Sequence, residues 1–321
     1  MSMVSQHPLF ILVGPTGVGK TEISIDIAKR INGEIISGDS MQVYKYLDIG
    51  TAKIKPEETQ GINHHLINIK EPTESYSAAE FKKNCTAIIS DIRSKGKLPM
   101  IVGGTGLYIN SVINDYNFIE NTEADYVRKQ LREIVEAKGI VPLIEELKIV
   151  DPRSAKKFHA NDSRRIIRAL EVCYTTGKPI SSLHNTAESE NSAKYNFLLV
   201  GLKREREILY ERINNRVDEM LREGWIREVT DLLKSGIPRS APALQGLGYK
   251  QLIMYINGEL TLEKAVELIK RDTRHFAKRQ LTWFKKDKRI SWINLDNIEK
   301  KTAVNEIIQM IGRSIKYNVE I

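Results

Sequence analysis

The chain has 321 residues, of which 41% are hydrophobic and 28% are charged, a composition that excludes a disordered protein and fits a folded globular one. Its 49 Lys and Arg against 41 Asp and Glu give a formal net charge of +8, which favours polyanionic partners without singling out nucleic acid. The two cysteines, Cys85 and Cys173, are too few and too far apart for a disulfide framework or a zinc-binding motif.

The sequence contains no segment suited to secretion or to a membrane. The apolar run from Pro8 to Val13 is too short for the core of a signal peptide and lacks a basic lead-in. No later stretch reaches the length of a membrane span, so no membrane partner is expected. Because the two cysteines fit a reduced compartment, we predict a cytoplasmic protein.

Strands and helices are predicted to alternate over the first hundred residues, as a parallel α/β sheet requires. Ser77 and Glu80 have the spacing of a capping box, which predicts the start of a helix. The predicted strands are Leu9 to Val13, Glu34 to Ser37 and Leu98 to Val102, with a possible further strand at His65 to Ile69, and the predicted helices run from Lys20 to Ile31 and from Ser77 to Lys95.

From about Asn114 the alternation stops and helices dominate. A polar loop at Ala187 to Lys194 then precedes a further predicted strand at Asn196 to Leu202. We therefore predict a core formed by residues 1–113 and 196–321 and a helical insertion formed by residues 114–195. The other predicted elements are helices at Thr122 to Lys138, Pro142 to Val150, Asp162 to Thr176, Glu205 to Glu223, Ile226 to Ser235 and Thr261 to Lys286, and a last strand at Ile290 to Leu295.

The segment after the first strand has the pattern Gly-x-x-x-x-Gly-Lys-Thr, which is typical of a phosphate-binding loop between a strand and a helix. Backbone N–H groups in such a loop converge on phosphate oxygens, and the start of the helix adds the positive end of its dipole. Lys20 supplies a mobile positive charge, and the hydroxyl of Thr21 is placed to ligate Mg²⁺. The loop consists of Gly14, Pro15, Thr16, Gly17, Val18, Gly19, Lys20 and Thr21.

The loop alone leaves the phosphate compound open. In nucleotide hydrolases a second buried strand usually ends in an acidic residue that orients Mg²⁺ and water. Here the strand that ends at Val102 is followed by Gly-Gly-Thr-Gly, which counts against a hydrolase or a kinase. Asp39 is the better acidic candidate because it follows the second strand, at the carboxyl edge of the sheet beside the loop. Taken by itself, however, a Gly-Asp-Ser sequence is more often a turn.

Several motifs occur in an order that is more specific than the loop. This set, together with the loop, resembles the bacterial tRNA dimethylallyltransferases, also called tRNA isopentenyltransferases, over about residues 8–293. The resemblance implies a P-loop NTPase-like parallel sheet flanked by helices, with a mainly helical insertion. The motifs are Asp39-Ser-Met-Gln-Val-Tyr44, Asp48-Ile-Gly-Thr-Ala-Lys53, His64-His-Leu-Ile67, Gly103-Gly-Thr-Gly-Leu-Tyr108, Asn161-Asp-Ser-Arg-Arg-Ile-Ile-Arg-Ala-Leu-Glu-Val172, Gly248-Tyr-Lys250 and Arg279-Gln-Leu-Thr-Trp-Phe284.

The resemblance implies transfer of a dimethylallyl group from dimethylallyl diphosphate to N6 of the adenosine beside the anticodon, position 37 of tRNA. That amine is a poor nucleophile because its lone pair is delocalised into the ring, and Asp39 is expected to act as the base. Lys20, the loop amides and Mg²⁺ are expected to neutralise the departing diphosphate, with Thr21 as the Mg²⁺ ligand and Asp39 as a further candidate ligand. Arg216 resembles a family arginine that meets the diphosphate, although a surface ion pair explains it equally well.

The resemblance also implies which residues contact tRNA. Thr105 resembles the threonine near the target adenine, and Ser40, Met41 and Gln42 supply groups that read the edge of a base. The target must leave the anticodon-loop stack to reach them, as in other base-modifying enzymes. Further tRNA contacts are expected from the insertion, at Arg128 and at the run Arg164, Arg165, Ile166, Ile167 and Arg168.

Residues 270–289 carry nine Lys or Arg, with aromatic residues between them. A basic face with aromatics suits a single-stranded RNA loop, which offers phosphates and stacking bases. Lys278 and Arg279 are the tRNA contacts predicted here, and Trp283 is expected to be packed inside. The competing interpretation is a solvated helix face.

Three other functions compete with this prediction. An adenylate isopentenyltransferase would use free AMP or ATP as the acceptor, and the insertion and the basic C-terminal half favour RNA over it. A small-molecule kinase would consume ATP, and a nucleotide-dependent RNA-binding module would form no covalent product. We expect a monomer with tRNA, dimethylallyl diphosphate and Mg²⁺ as its partners.

Overall fold

The computed structural model describes residues 7–116, 118, 124–183, 195–315 and 317. The chain divides into two compact units, one formed by Met1–Ile113 with Lys194–Ile321 and the other by Asn114–Ala193. The first unit is called the core and the second the insertion below. None of the described helices is both long enough and apolar enough to cross a membrane.

The core is built on a six-stranded sheet in which every pairing is parallel, in the order β3-β2-β4-β1-β5-β6. Parallel strands are buried on both faces, and β1 accordingly has five consecutive buried residues, Leu9 to Val13. The strands are β1 (His7–Val13), β2 (Gly33–Ser37), β3 (His64–His65), β4 (Leu98–Gly103), β5 (Tyr195–Lys203) and β6 (Ser291–Asn294).

Helices cover both faces of the sheet. On one face Phe10 and Leu12 pack against residues of the helices α1, α9 and α13, and on the other Leu9 and Ile11 pack against α2 and α3. A third cluster contains residues of the four helices α9, α10, α11 and α12 and includes the buried Trp225. The core helices are α1 (Lys20–Arg30), α2 (Ala78–Ser94), α3 (Gly106–Ile113), α9 (Arg206–Arg222), α10 (Trp225–Lys234), α11 (Tyr249–Ile256), α12 (Leu262–Phe284) and α13 (Lys300–Ile315).

The insertion has its own small core, formed by Leu131, Leu143, Leu147, Ile166 and Leu170. It contains only helices among its described residues, as the sequence predicts. The predicted polar loop at Ala187 to Lys194 lies outside the described residues. The insertion helices are α4 (Ala124–Lys138), α5 (Val141–Val150), α6 (Pro152–Lys157), α7 (Ser163–Thr176) and α8 (Ile180–Leu183).

The predicted strands and long helices are confirmed to within a few residues, but three core helices were not predicted. These are α3, α11 and α13. Two of them begin beside glycines that the sequence pattern treats as loop, Gly106 for α3 and Gly248 for α11. The predicted strand at His65 to Ile69 is reduced to two paired residues, because Leu66 and Asn68 have positive φ values of 61° and 57°.

Candidate active site

The predicted phosphate loop connects β1 to α1, as its sequence requires. Gly17 and Gly19 have φ values of 80° and 105°, in a region that side chains other than glycine rarely adopt. Gly19 forms the N-cap of α1, so the first backbone N–H groups of that helix lack partners within it. The loop therefore presents N–H donors and a helix N-terminus, the combination that binds phosphate.

Lys20 folds back over this loop. Its Nζ donates hydrogen bonds to the carbonyl oxygens of Gly14 and Pro15, each at 2.9 Å. Burial lowers the pKa of Lys20 to about 8, although the Asp39 carboxylate acts in the opposite direction. The lysine is thus a cation without a carboxylate bonded to it among the described residues, and an anion arriving at the loop would stabilise its charge.

Asp39 and Thr105 lie on two adjacent loops at the carboxyl edge of the sheet. Asp39 follows β2 and its Oδ1 accepts a hydrogen bond from the backbone N of Met41 at 2.8 Å. Thr105 follows β4, and its Oγ1 accepts from the backbone N of Ser40 at 3.1 Å. The sequence predicted both positions, and the neighbouring β2 and β4 bring the two loops together.

Gln42 and Met41, predicted to read the edge of a base, also make contacts within the protein, and their base-reading role stays a prediction. The Oε1 of Gln42 accepts from Ser37 Oγ at 2.9 Å, and its Nε2 lies 3.3 Å from the carbonyl oxygen of Thr51. The amide of Gln42 thus holds its own loop together. Met41 packs beside the cluster around Trp225. Both side chains are half-buried.

Helix α9 brings two arginines to the phosphate loop. Arg212 donates from Nε to the carbonyl oxygen of Gly17 at 3.0 Å, and Arg216 lies one turn further along. Burial lowers the pKa of Arg216, and Asp39 raises it. Neither guanidinium forms an ion pair with a carboxylate among the described residues, so the surface ion pair that competed as an explanation of Arg216 is not found.

These groups line one cavity of about 1020 Å³ in the core. The phosphate loop forms one wall, α9 forms another, and the segment after β2 forms a third. Lys20, Thr21, Asp39, Arg212 and Arg216 all line it. The cavity therefore combines a cationic phosphate site with a carboxylate, as an acid–base group-transfer reaction on a phosphate ester requires.

The residues at this cavity fit Mg²⁺ of the kind that P-loop proteins bind. The described residues contain no group of three His, Cys, Asp or Glu that could hold a metal by itself. Mg²⁺ at phosphate sites needs no such group, because it takes most of its ligands from the phosphates and from water. The exposed hydroxyl of Thr21 and the carboxylate of Asp39 are oxygen ligands of the appropriate kind.

Helix α12 carries most of the predicted basic face, and some of its cations are already bonded within the protein. Lys270 lies 2.6 Å from Asp218, and Arg274 donates to Asn214 at 2.7 Å. Lys278 and Arg279 are exposed, and Arg279 lines a smaller groove of about 350 Å³ beside Lys250. The two residues predicted to contact tRNA are therefore exposed on this face.

Trp283 was expected inside and is instead on the surface, so that prediction is wrong. The residue is 41% exposed, and its indole covers Gly106 at the start of α3. The buried aromatic of this motif is Phe284, which is 2% exposed. Consecutive helical residues face different directions, and here the smaller aromatic faces the core.

The predicted contact run in the insertion divides into core and surface residues. Ile166 and Ile167 are 2% and 8% exposed and pack within the insertion core, so their side chains do not face solvent. Arg164 and Arg165 are exposed, and Arg165 pairs with Asp162 at 3.0 Å. The run therefore offers surface cations on one side of α7 only.

Arg128 and Arg168 share a buried carboxylate. Arg128 Nε lies 2.7 Å from Glu171 Oε2, and Arg168 bonds to the other oxygen of the same carboxylate. The side chain of Glu171 is 1% exposed, whereas those of Arg128 and Arg168 are 36% and 47% exposed. These two arginines thus have a structural role in joining α4 to α7.

Comparisons with known proteins agree with this geometry. A family model described as IPP transferase matches residues 42–287. The chain belongs to the IPP transferase family. A tRNA dimethylallyltransferase of Carboxydothermus hydrogenoformans is 52% identical over 304 residues, which are 95% of this chain and 97% of that protein. One from Caldanaerobacter subterraneus is 47% identical over 311 residues, or 96% and 99%.

Solved structures of the IPP transferase family have the same fold. A tRNA isopentenylpyrophosphate transferase of Bacillus halodurans is 43% identical, with a TM-score of 0.73 and 97% of each chain covered. A eukaryotic dimethylallyltransferase acting on tRNA is 30% identical, with a TM-score of 0.80 over 98% of this chain and 81% of that one. The predicted P-loop NTPase-like α/β fold is therefore confirmed.

Two residues of the IPP transferase cavity were not singled out from the sequence. Arg212 lies one helical turn before Arg216, and this spacing could have indicated a shared face. Gln280 lies inside the Arg279–Phe284 motif, where its amide bonds to both Thr16 and Gly104. A glutamine carries no charge and no reactive group, so only the motif itself could have drawn attention to it.

Proposed function

We propose that this chain transfers a dimethylallyl group from dimethylallyl diphosphate to N6 of adenosine 37 in tRNA and releases diphosphate. The observation that carries the proposal is the single cavity in which the phosphate loop, Lys20 and Arg216 face the Asp39 carboxylate. The tRNA dimethylallyltransferases named above, which match nearly the whole chain, support the same reaction.

The reaction replaces a carbon–oxygen bond by a carbon–nitrogen bond. The N6 amine attacks the allylic carbon that bears the diphosphate, and the bond from this carbon to the diphosphate oxygen breaks. The amine loses one proton, which Asp39 accepts, and the electron pair of the broken bond leaves with the diphosphate. A positioned carboxylate base of this kind contributes about 10²–10⁴-fold to a rate.

The phosphate loop and its cations stabilise the leaving group. Negative charge builds up on the diphosphate as the bond breaks, and Lys20, Arg216 and the loop N–H groups are preorganised donors for it. Thr21, with Asp39 as a second candidate, would hold Mg²⁺, which supplies further positive charge to the diphosphate when bound. In this proposal the loop binds a departing diphosphate and transfers no phosphoryl group.

The acceptor tRNA would contact exposed cations of both units. In the core these are Lys278 and Arg279, with Lys250 in the same groove as Arg279. In the insertion they are Arg164 and Arg165. Such contacts neutralise phosphates and carry little sequence information, so they would orient the anticodon loop while Thr105 and Ser40 lie near the target base.

The test is incubation with labelled dimethylallyl diphosphate and unmodified tRNA, followed by nucleoside analysis. Label on N6 of adenosine 37 is expected. Parallel reactions contain AMP or an anticodon stem-loop as competitor, and transfer to AMP with none to RNA would reject the tRNA acceptor. Consumption of ATP without label on any nucleoside would reject prenyl transfer altogether. The chain is expected to sediment as a monomer in the absence of tRNA.

A further inference from the structure

One polar side chain joins the phosphate loop to the loop after β4. Gln280 of α12 is 7% exposed, and its Oε1 accepts a hydrogen bond from the backbone N of Thr16 at 2.9 Å. Its Nε2 donates to the carbonyl oxygen of Gly104 at 3.0 Å. Both ends of the amide are therefore bonded, one to each loop. The N–H of Thr16 is occupied by this bond and that of Val18 by the carbonyl oxygen of Pro15, which leaves the other N–H groups of the phosphate loop for the ligand.

Gly104 permits this close approach. A Cβ at Gly104 would lie 2.1 Å from Gln280 Nε2, a distance that side-chain carbons do not tolerate, so any larger residue would displace the amide. The same Cβ would lie 3.2 Å from the carbonyl oxygen of Gly14, within the phosphate loop. The two loops and the glutamine amide thus fit together only because Gly104 has no side chain.

The loop that Gln280 holds is itself bonded to the loop of the predicted base. Thr105, next to Gly104, donates from its backbone N to Gly38 at 3.2 Å and accepts from Ser40 at 3.1 Å. Gly38 and Ser40 flank Asp39 in sequence. A continuous set of hydrogen bonds therefore runs from Thr16 through Gln280 and Thr105 to both neighbours of Asp39.

We propose that Gln280 is a positioning residue that fixes the distance between the phosphate loop and the loops carrying Asp39 and Thr105. This inference rests on the proposed function, in which the first loop holds the donor and the other two approach the acceptor. In this role Gln280 acts through its hydrogen bonds to Thr16 and Gly104. A misplacement of reacting groups by about 1 Å can cost on the order of 10²-fold in rate, so the geometry it sets matters for catalysis.

The kinetic parameters kcat and KM distinguish a positioning role of Gln280 from a purely structural one. A glutamine that only stabilises the fold would lower the amount of active protein and leave the kinetics of the folded fraction unchanged. A positioning glutamine leaves the phosphate loop able to bind the donor, because the other loop N–H groups, Lys20 and Arg216 are intact. Its loss therefore reduces kcat with little change in the KM for dimethylallyl diphosphate.

The test compares Gln280→Met with Thr273→Val in the full chain, using active-site titration to count folded molecules. Methionine keeps much of the volume of glutamine and forms neither hydrogen bond. Thr273 lies on the same helix, and among the described residues its hydroxyl bonds only to the carbonyl oxygen of Ile269. We expect kcat of Gln280→Met to fall about 10- to 100-fold with KM for the donor changed less than about threefold, and Thr273→Val to keep both values.

A second variant keeps the proposal testable if Gln280→Met does not fold. Gly104→Ala forces the amide away from Gly104 while leaving the glutamine in place, and the same selective loss of kcat is expected. An unchanged kcat per folded molecule in either variant, or a loss confined to KM, would overturn the positioning role. Failure of the proposed function looks different, since the wild-type chain itself would then transfer no label to tRNA.

Discussion

Two cations at the core cavity and two arginines of the insertion are held in opposite ways. In the core, Lys20 bonds to two carbonyl oxygens and Arg216 lies buried near Asp39, and neither is paired directly with a carboxylate among the described residues. In the insertion, Arg128 and Arg168 both bond to the buried carboxylate of Glu171. The sequence predicted all four as ligand-binding residues, Lys20 from the phosphate-loop motif and the three arginines from the family resemblance.

The cations at the core cavity are therefore available to a ligand, whereas the two insertion arginines already form ion pairs within the protein. A buried cation near the phosphate loop has lost hydration without gaining a bonded counter-ion, so an arriving diphosphate restores what burial removed. Arg128 and Arg168 already neutralise Glu171, and tRNA would have to compete with it. The bond to Glu171 therefore distinguishes Arg128 and Arg168 from the cations at the phosphate loop.

The largest effect is expected at the carboxylate of the core cavity. Asp39→Asn keeps the shape and removes the base, so transfer to tRNA should fall about 10²–10⁴-fold while donor binding stays nearly intact. Single-turnover transfer and equilibrium binding of dimethylallyl diphosphate measure the two quantities. Asp26→Asn is the matched control, because Asp26 lines the same cavity and pairs with Lys300 at 2.9 Å. Wild-type turnover in Asp39→Asn would show that the base lies elsewhere.

The next effect concerns stability of the insertion. Replacing both Arg128 and Arg168 by Ala leaves Glu171 buried without a cation, which should destabilise the insertion by about 3–5 kcal/mol. Hydrogen exchange measured on the full chain should show that α4 and α7 lose protection, whereas the sheet of the core keeps its protection. Arg164→Ala removes an exposed arginine of the same helix and should leave protection unchanged. If the double variant were protected as well as the wild-type chain, the two arginines would not be needed to stabilise the buried Glu171 carboxylate.

The sheet and the phosphate loop follow closely from sequence because short-range rules determine them. A short apolar run such as Leu9 to Val13, followed by a glycine-rich turn, favours a buried strand of a parallel sheet, and the Gly-Lys-Thr pattern of a phosphate loop begins a helix. The capping box at Ser77 and Glu80 likewise fixes the start of α2, and both of its hydrogen bonds are present. These signals need no knowledge of distant residues.

The site residues that escaped prediction depend on contacts between distant parts of the chain. Gln280 lies 264 positions from Thr16, and Arg212 is 195 positions from Gly17. Nothing in the local pattern around α12 or α9 tells which side chain of a polar helix face reaches the loop. The same limit explains Trp283, whose exposure depends on Gly106 and the start of α3.

The histidines at positions 64 and 65 also have partners that the local sequence does not identify. Adjacent residues of a strand point to opposite faces, and His64 and His65 have different partners. His64 Nδ1 bonds to Ile62 O, whereas His65 Nε2 lies 2.8 Å from Glu34. Burial raises the pKa of Glu34, but hydrogen bonds from Lys97, His65 and Asn63 bring it to about 2. Its partners, like those of Gln280, come from distant segments.

A smaller effect is expected on the donor side of the cavity. Arg216→Ala removes a buried cation near the loop and should raise the Kd for dimethylallyl diphosphate about 10- to 100-fold, as loss of a charge-assisted contact does. Arg222→Ala on the same helix is the control, because Arg222 is exposed and bonds to the carbonyl oxygen of Asp218. Binding of inorganic diphosphate measured by calorimetry should weaken in parallel. If Arg216→Ala bound dimethylallyl diphosphate as tightly as the wild-type chain, Arg216 would not be a donor-binding residue.

The smallest expected effect is a pH dependence of donor binding that comes from Lys20. Its pKa of about 8, below the usual 10.5, means that the amine is mainly charged at neutral pH and loses its proton as the pH rises through about 8. The KM for dimethylallyl diphosphate should therefore rise several-fold between about pH 7 and pH 9. Lys20→Arg, which keeps its charge over this range, should bind the donor less well but show a flat profile.

If deprotonation of Lys20 causes the rise in KM with pH, loss of folded protein does not contribute to that rise. Between pH 8 and 10.5 the unfolded chain holds the Lys20 proton more tightly than the folded chain, so this group makes the folded state more stable as the pH increases. Donor affinity and stability should therefore change in opposite directions over the same pH range. Thermal unfolding recorded beside the kinetic profile tests this, and a rise in KM that Lys20→Arg retains would assign the titration to another group.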